Sequence, residues 1–500
     1  MKNLIKFSLV LSFVFCQTNP VDIATSGANK LRMHGQLNVF HNPATLGYKA
    51  AQLESEATVN NLPLEESGEF VNEFQDINIP DSDSLDSEFS EFESVDDTDS
   101  FSIKVEDIIA SSDSLLADSL VSESNFSMSL FNVSFGLGSG SITPNWISNQ
   151  LFGGKDLRNA QQRKDFLKGL SNDINIQVPV FSSLPLINFS FGSNVVSLGQ
   201  VVSYTSVNIP SGLAQVPFIG LEKGKELNIS SLEVEHITYL PISYSKGFIL
   251  KPGIIPFGQK SFAGLRANLL IGLAEVHTES VRGKLQGTDA NTLIDADIEL
   301  GASLPVSIDD SIPKGSFPVG LSFDLGIITE IDDKLTVGTS IDNIFASFKW
   351  SGATVYTASV LGELTPEEIA EADSITNLLN QSEVKESSSY KTSLPTSINI
   401  SGTYKAVEWV TLDANIRIDF GKSYWASSTP LISLGSEFYP NSKSPIYFGL
   451  SFGGENSFGW GTGMSLKMGS VIFDISGGQL GGIFNNATGM QLGFGLRIQK

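Results

Sequence analysis

Few residues in this chain have the types and spacing that chemistry needs. Its four histidines are His34, His41, His236 and His277. None stands at metal-ligand spacing from another histidine or a cysteine, so no metal centre is expected. Gly449-Leu450-Ser451-Phe452-Gly453 has the G-x-S-x-G pattern of a hydrolase nucleophile, which requires a sharp strand–turn–helix setting. Here Ile446, Phe448, Leu450 and Phe452 alternate along the same stretch, so Ser451 reads as a strand residue. Gly459, Gly461 and Gly463 likewise read as strand glycines, not as a phosphate loop. Asp81, Asp83 and Asp86 loosely resemble the start of a calcium loop, but its glycine and closing glutamate are missing. No catalytic residue and no cofactor is expected, and the chain is not read as an enzyme.

The elements around these residues say more. Lys2 and Lys6 precede an uncharged apolar run, Phe7 to Cys16, too short to span a bilayer as a helix. Residues 1–16 therefore read as a cleavable export signal, cut before Gln17. Phe15 is too large for the position before a lipidated cysteine, and cleavage removes Cys16, the only cysteine, so no disulfide is expected. No later stretch is long and apolar enough for a membrane helix. Charged residues make up only 17% of the chain, while Gly (46) and Phe (33) are abundant. That combination suits a transmembrane β-barrel, whose apolar surface is spread over alternate residues.

The net charge of −24 is unevenly placed. Residues 52–125 hold 21 acidic residues against one basic residue, Lys104. Like charges at that density repel and the apolar residues are too scattered to form a core, so this segment reads as a disordered acidic insert. The rest of the chain is nearly balanced, without the basic clustering of a nucleic-acid-binding protein.

From residue 126 onward the pattern has period two. Val319, Leu321, Phe323, Leu325 and Ile327 alternate with Gly320, Ser322, Asp324 and Gly326. Leu412, Ala414, Ile416, Ile418 and Phe420 alternate with Asp413, Asn415, Arg417 and Asp419, and Met490 to Ile498 repeats the pattern. Leu265, Ala267, Leu269, Ile271 and Leu273 form one further apolar face. Successive strand side chains face opposite ways, so these are strands with one apolar face and one small or polar face. Turns at 330–334, 405–409 and 439–445 join them as hairpins. Residues 126–500 have room for roughly 12–15 such strands in an all-β, antiparallel barrel. Residues 155–171 have helical composition, and 351–391 read as a long polar connection whose Thr365-Pro366-Glu367-Glu368 opens a helix. Both are expected as loops carrying short helices on the barrel rim.

Between the export signal and the acidic insert, residues 17–51 contain Val39-Phe40-His41-Asn42-Pro43-Ala44-Thr45-Leu46-Gly47. Pro43 fixes its own φ and holds Asn42 extended, while Asn42 can bond nearby backbone. The result is a rigid turn that satisfies its own polar groups without joining a sheet. An Asn-Pro-Ala turn ahead of a barrel pattern resembles the FadL-type superfamily of outer-membrane proteins, which includes hydrophobic-compound transporters and the PorV-like barrels of secretion. Residues 319–350, 434–454 and 152–170 resemble relatives from an uncharacterised Bacteroidota-like subgroup. The resemblance implies about fourteen strands, plugged by an N-terminal hatch carrying Asn42, Pro43, Ala44, Leu46 and Gly47. It implies a Gram-negative outer-membrane location, with membrane lipid around the wall and assembly machinery reading the last strand. The function it implies is passive passage of hydrophobic, fatty-acid-like molecules. The alternatives are a PorV-like interaction barrel with a secretion-system partner, or a structural barrel without transport.

Overall fold

In the computed structural model the alternation closes into a barrel of fourteen antiparallel strands. The structure describes residues 19–31, 42–48 and 126–499, the last with gaps, of which the widest lie at 151–160, 304–316 and 366–378. The export signal at 1–16, the acidic insert at 52–125, His34 and His41 lie outside the described residues.

The first wall strand is Phe126–Ser139. The second comprises Ile174–Ser183 and Asn188–Phe191, both paired to the first. The third comprises Asn194–Ser197 and Gln200–Ile209, and the fourth Glu226–Asn228 and Glu233–Ile249. The fifth, Lys260–Gly287, is 28 residues long. The sixth comprises Thr292–Ser303 and Val319–Glu330, both paired to the fifth. The seventh comprises Leu335–Ile344 and Thr354–Leu364, and the eighth Leu379–Glu386 and Thr396–Val407. Six unbroken strands follow: Val410–Phe420, Leu431–Phe438, Ile446–Gly453, Phe458–Met468, Val471–Leu480 and Gly489–Gln499. The last pairs with the first, Ser127 opposite Gln499 and Gly138 opposite Gly489, which closes the wall.

The faces are inverted relative to a water-soluble protein. On the sixth strand Val319, Leu321, Phe323, Leu325 and Ile327 are 37–57% exposed, while Gly320, Ser322, Asp324 and Gly326 are buried inside. The ninth strand does the same, with Leu412, Ile416, Ile418 and Phe420 outside and Asp413 and Asn415 buried. Its eleven residues, at a rise of about 3.4 Å and a tilt of about 40°, span roughly 28 Å, the height of an apolar membrane band. Aromatic residues edge that band. Trp409 stacks on Phe438 and Tyr439 at one end, and Phe452–Phe458 and Trp460–Phe484 pair at the other. The hairpins at 319–344, 396–420 and 431–453 stand where the alternation predicts them.

The expected polar connection at 351–391 is corrected: it contains wall strands Thr354–Leu364 and Leu379–Glu386. They stand above the apolar band, where the neighbouring strands turn Arg282, Lys284, Asp295 and Asp297 to solvent. Strands in water need no apolar outer face, so the lipid-facing alternation vanishes there. The helix expected from Thr365 onward falls on residues outside the described ones. In the first long connection, Pro144–Gln150 is helical, as are Gln161, Gln162 and Asp165.

Inside, a polar ladder ties the strands together. Arg266 donates Nε–H to Asp324, Asn268 donates to the same carboxylate at 2.7 Å, and the backbone N–H of Asn343 donates to its other oxygen. Asn399 donates to Asp342 at 2.8 Å, and Thr403 to Asp413 at 2.8 Å. Asp324→Ala removes the carboxylate that accepts from Arg266, Asn268 and the Asn343 N–H inside the barrel, at a cost of about 3 kcal/mol. The temperature at which the folded gel band is lost should fall clearly. Arg266→Met with Asp324→Leu should recover most of the loss. A single variant as stable as the parent would mean that Arg266 is hydrated rather than paired.

Candidate functional site: the filled lumen

Two pieces of the N-terminal stretch lie against the inward face of the wall. The first is a short helix, α1 (Pro20–Ala24). Asn19 caps it, its Oδ1 accepting from the Asp22 N–H at 2.9 Å, and Pro20 starts it where no N–H is needed. Ser26 and Gly27, both at positive φ, end it. All five helical residues are buried, and Lys30 pairs with Asp22 at 3.2 Å. The wall makes room with glycine. A Cβ at Gly461 would strike the Ile23 carbonyl, and one at Gly449 would strike the Thr25 backbone.

The second piece carries the Asn-Pro-Ala turn, and Asn42, Pro43, Ala44, Leu46 and Gly47 are all buried. The Asn42 side chain accepts from the Ala44 N–H at 3.0 Å and donates to the Thr339 carbonyl of the seventh strand at 3.2 Å. Thr45 donates its hydroxyl to the Asn42 carbonyl at 2.7 Å. The turn thus satisfies itself and hydrogen-bonds the wall through the Asn42 side chain. Ala44 packs with Leu31, Tyr48, Phe262 and Ile328, and Tyr48 meets Phe262 edge-on at 5.3 Å. Leu46 packs on Val195. A Cβ at Gly264 would collide with the Pro43 backbone, one at Gly326 with Asn42 Oδ1, and one at Gly247 with the Gly47 nitrogen. Sequence reasoning found this turn but missed α1 and the purpose of the wall glycines. Their inward parity, shared by Gly449, Gly461 and Gly463, was the available signal.

The other residues weighed for chemistry lie apart. Ser451 sits within the eleventh strand, without the helix that a nucleophile elbow needs. His236 lies between Thr205 and Thr238, at 2.8 and 3.0 Å. His277 bonds Glu275 at 2.9 Å. Among the described residues no three His, Cys, Asp or Glu side chains are grouped to hold a metal.

Towards the long-loop end, the lumen holds a feature that the sequence did not announce. The 319–350 stretch reads as a hairpin, with no separate strand after it. Instead the chain leaves the seventh strand through Asn343 and Phe345, both in the left-handed region, at φ 60° and 61°. Ser347–Ser351 then pairs with Ser389–Ser393 in a separate two-stranded sheet. Phe348 and Trp350 are fully buried against Tyr204, Ile237, Tyr239 and Leu270. Trp350 donates Nε1–H to Thr392 at 2.8 Å, and Tyr390 donates its hydroxyl to Glu275. Below, on the short-turn side, a vestibule of about 1290 Å³ is lined by Leu31, Tyr48, Lys334, Lys405, Lys467 and Arg497 among others.

Fold and lumen together define a membrane-spanning β-barrel whose interior is occupied by its own N-terminal segment and by an inner sheet. The chain belongs to a family of unknown function (DUF5723), matched over residues 120–475. Curated proteins give no match. Among solved structures, a Pseudomonas aeruginosa FadL homologue is similar at 9% identity and TM-score 0.41, over 97% of this chain and 99% of that one. The Pseudomonas putida toluene transporter TodX is similar at 8% identity and TM-score 0.36, over 76% of this chain and 90% of that one. The CymD monoaromatic hydrocarbon channel gives 8% and 0.36, over 76% and 89%. The strand pairing described above, not these distant likenesses, defines the barrel.

Proposed function

We propose that the protein resides in the outer membrane, surrounded by lipid, and passes small hydrophobic molecules passively, with residues 17–51 acting as a hatch. One observation carries this reading. Among the described residues, the sixth strand stops at Ser303 and resumes at Val319, the seventh stops at Ile344 and resumes at Thr354, and the eighth stops at Glu386 and resumes at Thr396. Behind these divisions lies the aromatic inner sheet rather than a polar channel. Where these strands are divided, Phe348, Trp350 and Tyr239 lie behind them and give an apolar solute surfaces it can follow, whereas a hydrated solute gains nothing there.

Purified protein in liposomes should admit an uncharged hydrophobic dye faster than a sugar of similar size. Equal entry of both would indicate a general pore. Entry of neither, with a correctly folded barrel, would remove the transport reading.

A further inference from the structure

The inner sheet has a second face. Its strands read Ser347-Phe348-Lys349-Trp350-Ser351 and Ser389-Tyr390-Lys391-Thr392-Ser393, so both carry a Ser-aromatic-Lys-x-Ser order. They are antiparallel and in register: Ser347 faces Ser393, Lys349 faces Lys391, and Ser351 faces Ser389. Phe348 and Trp350 take the buried face. The alternate residues form the other, so two exposed lysines stand directly opposite one another, flanked by two pairs of serines. Neither lysine makes an ion pair among the described residues.

This arrangement costs the sheet something as it stands. Opposed side chains on paired strands have Cβ atoms about 5 Å apart, and like charges there repel. A two-stranded sheet has little pairing to spare for that. An oxyanion between the two ammonium groups converts the repulsion into two charge-assisted contacts, and the serine hydroxyls are placed to donate to its remaining oxygens. A tetrahedral phosphate has enough acceptor positions to use both cations and hydroxyls from both sides. Apolar surface adjoins the patch. Phe345, two residues before Ser347, is 82% exposed.

We infer that the Lys349–Lys391 face of the inner sheet is a binding site for a phosphate-type oxyanion, borne by an amphiphile whose chain lies on the adjoining apolar surface or present as free phosphate. This goes beyond passage of neutral hydrophobic molecules and needs only the inner sheet, so it stands whether or not the barrel transports.

The test uses the whole protein in a neutral detergent at low ionic strength, with dodecyl phosphate, dodecanol and inorganic phosphate as probes, followed by calorimetry. Lys349→Glu is the informative variant. It replaces a like-charge pair with an opposite-charge pair, which keeps the sheet, and removes the site; subtracting its signal also cancels partition into micelles. The parent should bind dodecyl phosphate more tightly than the variant does by about tenfold or more, the scale of one or two charge-assisted hydrogen bonds. Added salt should weaken that binding. Dodecanol should not distinguish parent from variant. Dodecyl phosphate binding far more tightly than inorganic phosphate identifies an amphiphile's head as the ligand, and equal binding identifies free phosphate. Dodecyl phosphate binding equally to parent and variant, while the variant keeps the parent's heat-modifiable gel shift, overturns the inference. Dye entry, measured separately, tests the transport reading without touching this one.

Discussion

A barrel carrying Gly264→Leu and Gly461→Leu is expected to assemble normally and to leak. Both glycines point inward, and each meets backbone of the N-terminal segment, at Pro43 and at Ile23. Overfilling a packed contact costs about 1–3 kcal/mol, and the two sites press on both pieces of the segment at once. The wall can bear this better than the segment can. Gly264 lies in a strand paired on both sides, to Gly247 and Gly326, whereas the Asn-Pro-Ala turn holds the wall by one Asn42–Thr339 bond and a small apolar cluster. The strain should therefore displace the segment. Single-channel conductance should rise several-fold while the heat-modifiable gel shift remains. Gly402→Ala is the control, because a Cβ there has nothing nearer than the Thr336 carbonyl at 4.0 Å. A folded double variant with the parent's conductance would show that the segment is not what fills the path.

Trp350→Ala should have the next largest effect, at the opposite end of the lumen. The indole is fully buried, and Gly272 leaves space for its edge. Removing a buried Trp costs about 3–5 kcal/mol. The inner strands pair with each other and not with the barrel wall, so the loss should fall on them. Amide exchange should quicken at 347–351 and 389–393 but not in the ninth to fourteenth strands, and hydrophobic dye should enter faster. Tyr390→Phe should act in the same direction but more weakly, since Glu275 keeps its bond to His277. Uniformly faster exchange across the barrel would mean that the inner sheet is integral to the wall.

The strands that lipid surrounds were legible, and the reason is physical. A lipid-facing strand must place apolar residues at every second position, and 319–327, 412–420 and 490–498 do so without interruption. Where the wall rises into water that demand ends, and Leu379–Glu386 reads as polar loop although it is paired along its length to the seventh strand. The inner sheet was hidden for a related reason. Five-residue strands with one buried face carry too short a pattern to be told from the end of a longer strand. For the site, the Asn-Pro-Ala turn announced its rigidity locally through Pro43. Its partners Gly264 and Gly326 lie more than two hundred residues away, and nothing local ties a strand glycine to the backbone it admits.

The seam between the first and last strands also sets the order of assembly. Ser127 and Gln499 are neighbours in space but nearly the whole wall apart in sequence. Joining ends that distant costs about 5 kcal/mol of chain entropy by the logarithmic law for loops. Contacts of such long range form late. Until the residues from Gly489 onward arrive, the edge of Phe126–Ser139 stands open beside the place α1 will occupy. Residues 19–48 are made before any wall strand. The wall glycines leave their backbone no clearance, so the natural sequence of events is enclosure: the wall closes around a segment already in position.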